Sequence, residues 1–220
     1  MSATLTDADL AAISASFEGA PPEEIVQWAA DTFGDRLCLT TSLTDAVLVD
    51  LAARVAPGTE VIFLDTQYHF DETLATLDVV RQRYPVKLTV RRPDVPRDDL
   101  WRTDTDACCG VRKVAQLEAA LSGKEAWLSG LRRDDSPERA DTPIVERDRR
   151  GLVKVNPIAA WTDDDVALYI QRHDVPVNPL VAKGYPSVGC WPCTQPVAEG
   201  ADKRAGRWAG TGKTECGLHL

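Results

Sequence analysis

The sequence predicts an α/β fold: one domain with a mostly parallel sheet, covered by helices on both sides, and an irregular cysteine-bearing C-terminal segment. Short apolar runs alternate with stretches of helical periodicity, as strand–helix–strand units do. The run Glu60-Val61-Ile62-Phe63-Leu64 is continuously apolar instead of alternating, as in a strand buried on both faces. Beyond Asp174, Pro176, Pro179, Pro186, Pro192 and Pro196 deny regular structure.

Taken in order, residues 7–17 and 22–33 read as two amphipathic helices. The second has Pro22 early, Glu23 and Glu24 in the first turn where the helix dipole favours them, and Gly34 at its end. Residues 36–40 read as a buried strand. Thr41-Ser42-Leu43-Thr44-Asp45 then turns into a helix over 46–55. Strand, hydroxyl-rich turn and helix form the usual opening of a nucleotide-binding unit, with helix amides facing an anion. A helix capped by Ser42 or Thr44 explains the same residues without a ligand.

The strand 60–64 ends in Asp65-Thr66, at the carboxyl end where open α/β sheets bind ligands. A helix over 72–84 stops at Pro85, a strand follows over 86–90, and 91–99 is a Pro- and Asp-rich connector. The spacing predicts a helix over 111–121, ended by Gly123. A strand over 125–129 then opens into Gly130-Leu131-Arg132-Arg133. Residues 152–155 form a fifth strand, and Thr162 caps a helix to Arg172. Three parts are expected: N-terminal helices (1–30), an α/β body (31–200) and a mobile Gly-rich tail (201–220).

With 220 residues, 44% of them hydrophobic and 27% charged, the chain suits one soluble domain. No apolar run approaches the roughly 20 residues of a membrane span, and no basic-then-apolar leader opens the chain. The expectation is a cytoplasmic protein without a membrane partner; its oligomeric state stays open. A net charge of −9 argues against nucleic acid, although a local arginine cluster can still hold a small anion.

In a reducing compartment the six cysteines are ligands or reactive thiols before they are disulfides. Cys108-Cys109 and Cys190-Trp191-Pro192-Cys193 together offer four sulfurs, enough for a tetrahedral zinc or an iron–sulfur cluster, and spacing leaves the two open. Cys216 lies outside both pairs, in a Gly-rich tail that suits an accessible, reactive thiol. Lys213 and His219 could stabilise its thiolate, while Glu215 would oppose it. Cys38, inside a strand, is a small core residue. Arg132, Arg133, Arg204 and Arg207 each read alone as surface charges. Set near strand ends and near Cys216, with Arg112 and Lys113 beside the doublet, they favour binding of phosphate or sulfate.

The doublet, the second cysteine pair and the tail Glu215-Cys216-Gly217-Leu218-His219 resemble the assimilatory adenylyl-sulfate reductases, and the related phosphoadenylyl-sulfate reductases share the scaffold and tail. Leu64-Asp65-Thr66, Arg132-Arg133-Asp134 and Arg204-Ala205-Gly206-Arg207-Trp208 also look like family segments. The resemblance implies an adenine-nucleotide α-hydrolase-like sheet and a [4Fe–4S] cluster on Cys108, Cys109, Cys190 and Cys193. It also implies attack by Cys216 on adenylyl sulfate, with thioredoxin or a glutaredoxin-like donor releasing sulfite. Substrate contacts would come from Thr41, Ser42, Asp45, Leu64, Asp65, Thr66, Lys113, Gly130, Arg132, Arg133, Arg204, Arg207 and His219. The chain departs from the family at Thr41–Asp45 and at Gln67-Tyr68-His69-Phe70. Two other functions compete: reduction of the 3′-phosphorylated nucleotide, and a non-catalytic iron–sulfur redox sensor, which would leave Cys216 idle.

Overall fold

In the computed structural model, which describes residues 5–198 and 200–218, the chain opens with a reciprocal cap. The Asp9 amide donates to Thr6 Oγ1 at 3.2 Å and the Thr6 amide donates to the Asp9 carboxylate at 2.8 Å, starting helix α1 (Asp7–Ser16). Helix α2 (Pro22–Phe33) buries Ile25, Val26 and Ala29. The following units are β1 (Leu37–Thr41), α3 (Val47–Val55), β2 (Glu60–Leu64), α4 (Asp71–Arg83) and β3 (Lys87–Arg91). Four short helical pieces come next: α5 (Leu100–Thr103), α6 (Thr105–Cys109), a π-turn (Gly110–Val114) and α7 (Ala115–Ala120). Strands β4 (Ala126–Leu128), β5 (Val145–Arg147) and β6 (Val153–Val155) precede α8 (Asp163–His173).

The six strands run β3-β2-β1-β4-β6-β5, all pairs parallel except β5 with β6. The doubly covered, mostly parallel sheet is as expected. Leu39 sits opposite both Val61 and Leu128, so β1 is central. The period of two divides the faces. Leu37, Leu39, Val61, Phe63 and Leu128 enter a large core with α2, α3 and α4. Cys38, Ile62 and Trp127 face the other way, onto Leu117 and Leu121. Tyr169 of α8 donates to buried Asp50 of α3 at 2.7 Å. Among the described residues no helix is long and apolar enough to cross a membrane.

Three features differ from the sequence expectation. The edge strand β5 is absent from it, because Val145-Glu146-Arg147 carries a single apolar residue. It forms against β6, and Ser14 Oγ of α1 accepts the Val145 amide at 3.2 Å. The cysteine doublet lies within a helix, not ahead of one: Asp104 accepts the Ala107 amide at 2.8 Å and starts that helix early. Finally, the tail is folded onto the body. The Trp208 amide donates to Cys193 O at 2.9 Å, and the Gln195 amide to Gly206 O at 2.9 Å. A Cβ at Gly206 would stand 2.0 Å from Gln195 O, so only glycine permits this approach.

Candidate active site

A cleft opens at the carboxyl ends of β1, β2 and β4, where the chain order reverses across the sheet. Of the residues expected to touch substrate, Thr41, Ser42, Asp45, Leu64, Thr66, Lys113, Gly130, Arg132, Arg204 and Arg207 line it. The turn after β1 is strained: Leu43 has φ 60, in the left-handed region. Asn178 holds it there, donating to Leu43 O at 3.1 Å and to Thr73 Oγ1 at 3.0 Å. Asp45 accepts the Val47 amide at 3.0 Å. Burial pushes the Asp45 carboxyl up, and the Val47 amide and Arg132 offset this only in part.

Two expected residues lie elsewhere. Asp65 accepts the Gln67 amide at 2.8 Å and pairs with Arg92, so it shapes the turn behind the cleft. Arg133 points to Glu18 and to Thr142 O, bracing the N-terminal helices instead of a ligand. His219 lies outside the described residues. Lys213, expected near the Cys216 thiolate, pairs with Asp106 instead.

The cleft also holds charges that sequence reasoning missed, Asp135, Arg139 and Lys203, and Glu215, which the sequence places only as a charge opposing the thiolate. Arg132 donates to Asp135 at 2.8 Å and to Asp163 at 2.9 Å. Arg139 bonds Asp135 at 3.0 Å and Glu215 at 2.7 Å. Nothing in Ser136-Pro137-Glu138-Arg139 distinguishes it from an ordinary loop. Arg207 donates to Ser187 Oγ at 3.1 Å, and its buried Nε has no protein partner.

Cys216, expected on an exposed terminus, is 9% exposed and packs with Cys109 and Trp208 at the inner end of the cleft. Lys113 lies beside it. Burial alone would lower the Lys113 pKa, but the negative charge available at Cys190, Cys216 and Cys109 outweighs burial and the net shift is upward.

A second pocket adjoins the first through Lys113 and Trp208, and Cys108, Cys109, Cys190 and Cys193 all line it. The π-turn directly after Cys109 widens the helix at this point. Cys190 and Cys193 flank a tight turn in which the Cys193 amide donates to Cys190 O at 3.0 Å. All four thiols are free. Burial, with the neighbouring thiols, pushes Cys108 up to about 11, and raises Cys109 and Cys193. Among the described residues, no three His, Cys, Asp or Glu side chains are placed to hold a metal ion. Cys38 is a core residue in β1, its thiol facing Ala126 O at 3.9 Å.

Residues 36–196 match the phosphoadenosine phosphosulfate reductase domain. An adenosine 5'-phosphosulfate reductase of Streptomyces coelicolor is 52% identical over 211 residues, covering 92% of this chain and 89% of that protein. One of Mycobacterium tuberculosis is 47% identical over 232 residues, covering 94% and 91%. A phosphoadenylyl-sulfate reductase of Candida auris, solved as a phosphate complex, superposes with a TM-score of 0.79 at 27% identity, covering 89% of this chain and 100% of that one.

Proposed function

The chain belongs to the phosphoadenosine phosphosulfate reductase domain family, and from that premise we propose that it is an oxidoreductase reducing adenylyl sulfate to sulfite and AMP in assimilatory sulfate reduction. The observation that carries the reading is the position of Cys216: a free thiol inside the cleft, beside the Lys113 ammonium and near Arg204 and Arg207.

The adenosine end enters at the carboxyl ends of β1 and β4, and the anionic end runs toward Lys113 and Arg207. Guanidinium and ammonium groups there neutralise the phosphate and sulfate oxygens in a partly desolvated site. The Cys216 thiolate attacks the sulfate sulfur. A sulfur–sulfur bond forms, the sulfur–oxygen bond to phosphate breaks, and the electron pair leaves with AMP. The product is an S-sulfocysteine. A thiolate of reduced thioredoxin, or of a glutaredoxin-like donor, attacks the Cys216 sulfur and expels sulfite. Its second thiolate resolves the mixed disulfide and restores Cys216. The two electrons come from the donor's dithiol. Because Cys216 is buried here, the second half-reaction requires the tail to leave the cleft.

A [4Fe–4S] cluster on Cys108, Cys109, Cys190 and Cys193 is part of this reading; what favours it is that the four donors are all sulfur, come from two segments and line one pocket. When bound, the cluster would tie the α6 helix to the Cys190–Cys193 turn and contribute to the field at Lys113. Free thiols and a thioredoxin donor fit a reducing, cytoplasmic setting.

Sulfite release from adenylyl sulfate and reduced thioredoxin, compared with phosphoadenylyl sulfate, tests the reading. Without thioredoxin, each enzyme should release a single AMP and acquire one sulfonate on Cys216. Sulfite production by Cys216→Ser, or a sulfonate on another cysteine, would overturn it.

A further inference from the structure

Glu215 precedes the nucleophile and faces two guanidinium groups. Its Oε1 accepts from Arg139 at 2.9 Å (Nε) and 2.7 Å (Nη2), a two-pronged contact, and its Oε2 lies 3.2 Å from Arg204 Nη2. Arg204 also donates to Thr214 O at 2.8 Å, one residue earlier in the tail. These side chains are withdrawn from water, at 18% exposed for Glu215, 12% for Arg139 and 13% for Arg204. Arg139 is itself anchored to the body by Asp135 at 3.0 Å.

Burial and the neighbouring Arg139 charge both act against Arg204, so an anion between the two guanidinium groups offsets a real cost. In the nucleotide-free protein the carboxylate of Glu215 is that anion. Gly217, immediately after Cys216, has φ 79, so the chain turns sharply just past the thiol. A carboxylate clamp on one side and a tight turn on the other define where the Cys216 backbone sits.

We propose that Glu215 is a positioning residue for the Cys216 nucleophile, clamping the tail into the cleft through Arg139 and Arg204. The sequence alone suggests the opposite role, a negative charge that disfavours the neighbouring thiolate. In the fold that charge is directed onto the two arginines. Opening the tail for the electron donor then means releasing the clamp. This inference rests on the assignment of Cys216 as nucleophile.

The test is the rate of Cys216 alkylation by iodoacetamide in nucleotide-free, iron-loaded protein, read by peptide mass spectrometry, with Cys38 as an internal monitor of unfolding. Glu215→Gln should raise Cys216 labelling about tenfold or more, the scale of one lost charge-assisted contact. Glu215→Asp, which keeps the charge, should restore part of the protection. The double variant Glu215→Gln/Arg139→Gln should label no faster than the faster single variant, because both remove one interaction. In turnover, Glu215→Gln should lower kcat while AMP affinity stays within about twofold, a split that general destabilisation does not give. Unchanged labelling in Glu215→Gln, or Cys38 labelling that rises in step with Cys216, overturns the clamp. Alkylation involves no turnover, so this result stands apart from whether sulfite is made.

Discussion

Thr66 Oγ1 lies 3.2 Å from Cys190 Sγ, although 124 residues separate them in the chain. The contact joins the end of β2, which lines the cleft, to the second cysteine pair. The Trp191 amide donates to Tyr68 O at 2.8 Å and repeats the link one residue on. A hydroxyl donating to a ligand sulfur stabilises the more reduced, more negative state of a cluster.

Thr66→Val keeps the shape and deletes the hydroxyl that faces Cys190 Sγ. If the second pocket holds the proposed cluster, the expected outcome is a lower cluster reduction potential and faster iron loss to a chelator, from a contact worth about 1 kcal/mol. Voltammetry and chelator kinetics that match the unaltered protein would show that the hydroxyl does not act on the sulfur.

Gly189 supports the Arg207 guanidinium: a Cβ at 189 would stand 2.4 Å from Nη2 and 2.6 Å from Cζ. Gly189→Ala must therefore push the guanidinium from its place. The loss of one charge-assisted contact to the substrate anion, about 1.5–3 kcal/mol, predicts a fall in kcat/KM of roughly tenfold to a hundredfold. Arg207→Ala should cost about as much, and the double variant no more than either alone. Additive losses would mean that the alanine disturbs something other than Arg207.

The strands were legible because buried parallel strands are runs of apolar residues, and their carboxyl ends mark the cleft without side-chain detail. The cysteine pairs stood out in the sequence because four paired sulfurs are rare, and the fold brings both pairs to one pocket. Arg139 and Asp135 were not: a loop arginine acquires its role only from what the fold sets opposite it. The burial of Cys216 was hidden for a similar reason. Gly206, Gly210, Gly212 and Gly217 suggest a loose tail, yet Gly206 serves a close approach to Gln195 O that fastens it. Asp65 and Arg133 stand in the expected segments, but their side chains turn to Arg92 and Glu18.

Asp45 predicts a conflict between stability and function. Burial raises its pKa above the ordinary carboxylate value, so the folded state binds more protons than the unfolded state just above pH 3.8. Its contribution is therefore most favourable below that value and declines as pH rises through the folded pKa. Arg132 attracts the carboxylate and Asp135 repels it, and burial still prevails. Asp45→Asn should raise the Tm near neutral pH and remove this part of the pH dependence, while weakening AMP binding. A variant less stable than the parent at pH 7 would show that the Asp45 charge is well compensated.

The final prediction separates buried cysteines by role, since burial alone does not. Cys38, Cys108, Cys109 and Cys216 are all at most 9% exposed, yet only two of them line the second pocket. If that pocket holds a cluster, serine at Cys108, Cys109, Cys190 or Cys193 should remove the bound iron and its visible colour. Cys216→Ser packs against Cys109 and tests proximity without ligation: it should keep iron and colour while losing S-sulfonation. Cys38→Ala should keep all three, with a modest loss of stability from a small cavity in β1, about 1 kcal/mol. Iron analysis and absorbance of anaerobically prepared variants decide the matter. Stoichiometric zinc in colourless, active protein, or iron that survives the loss of Cys109, would remove the cluster from this site.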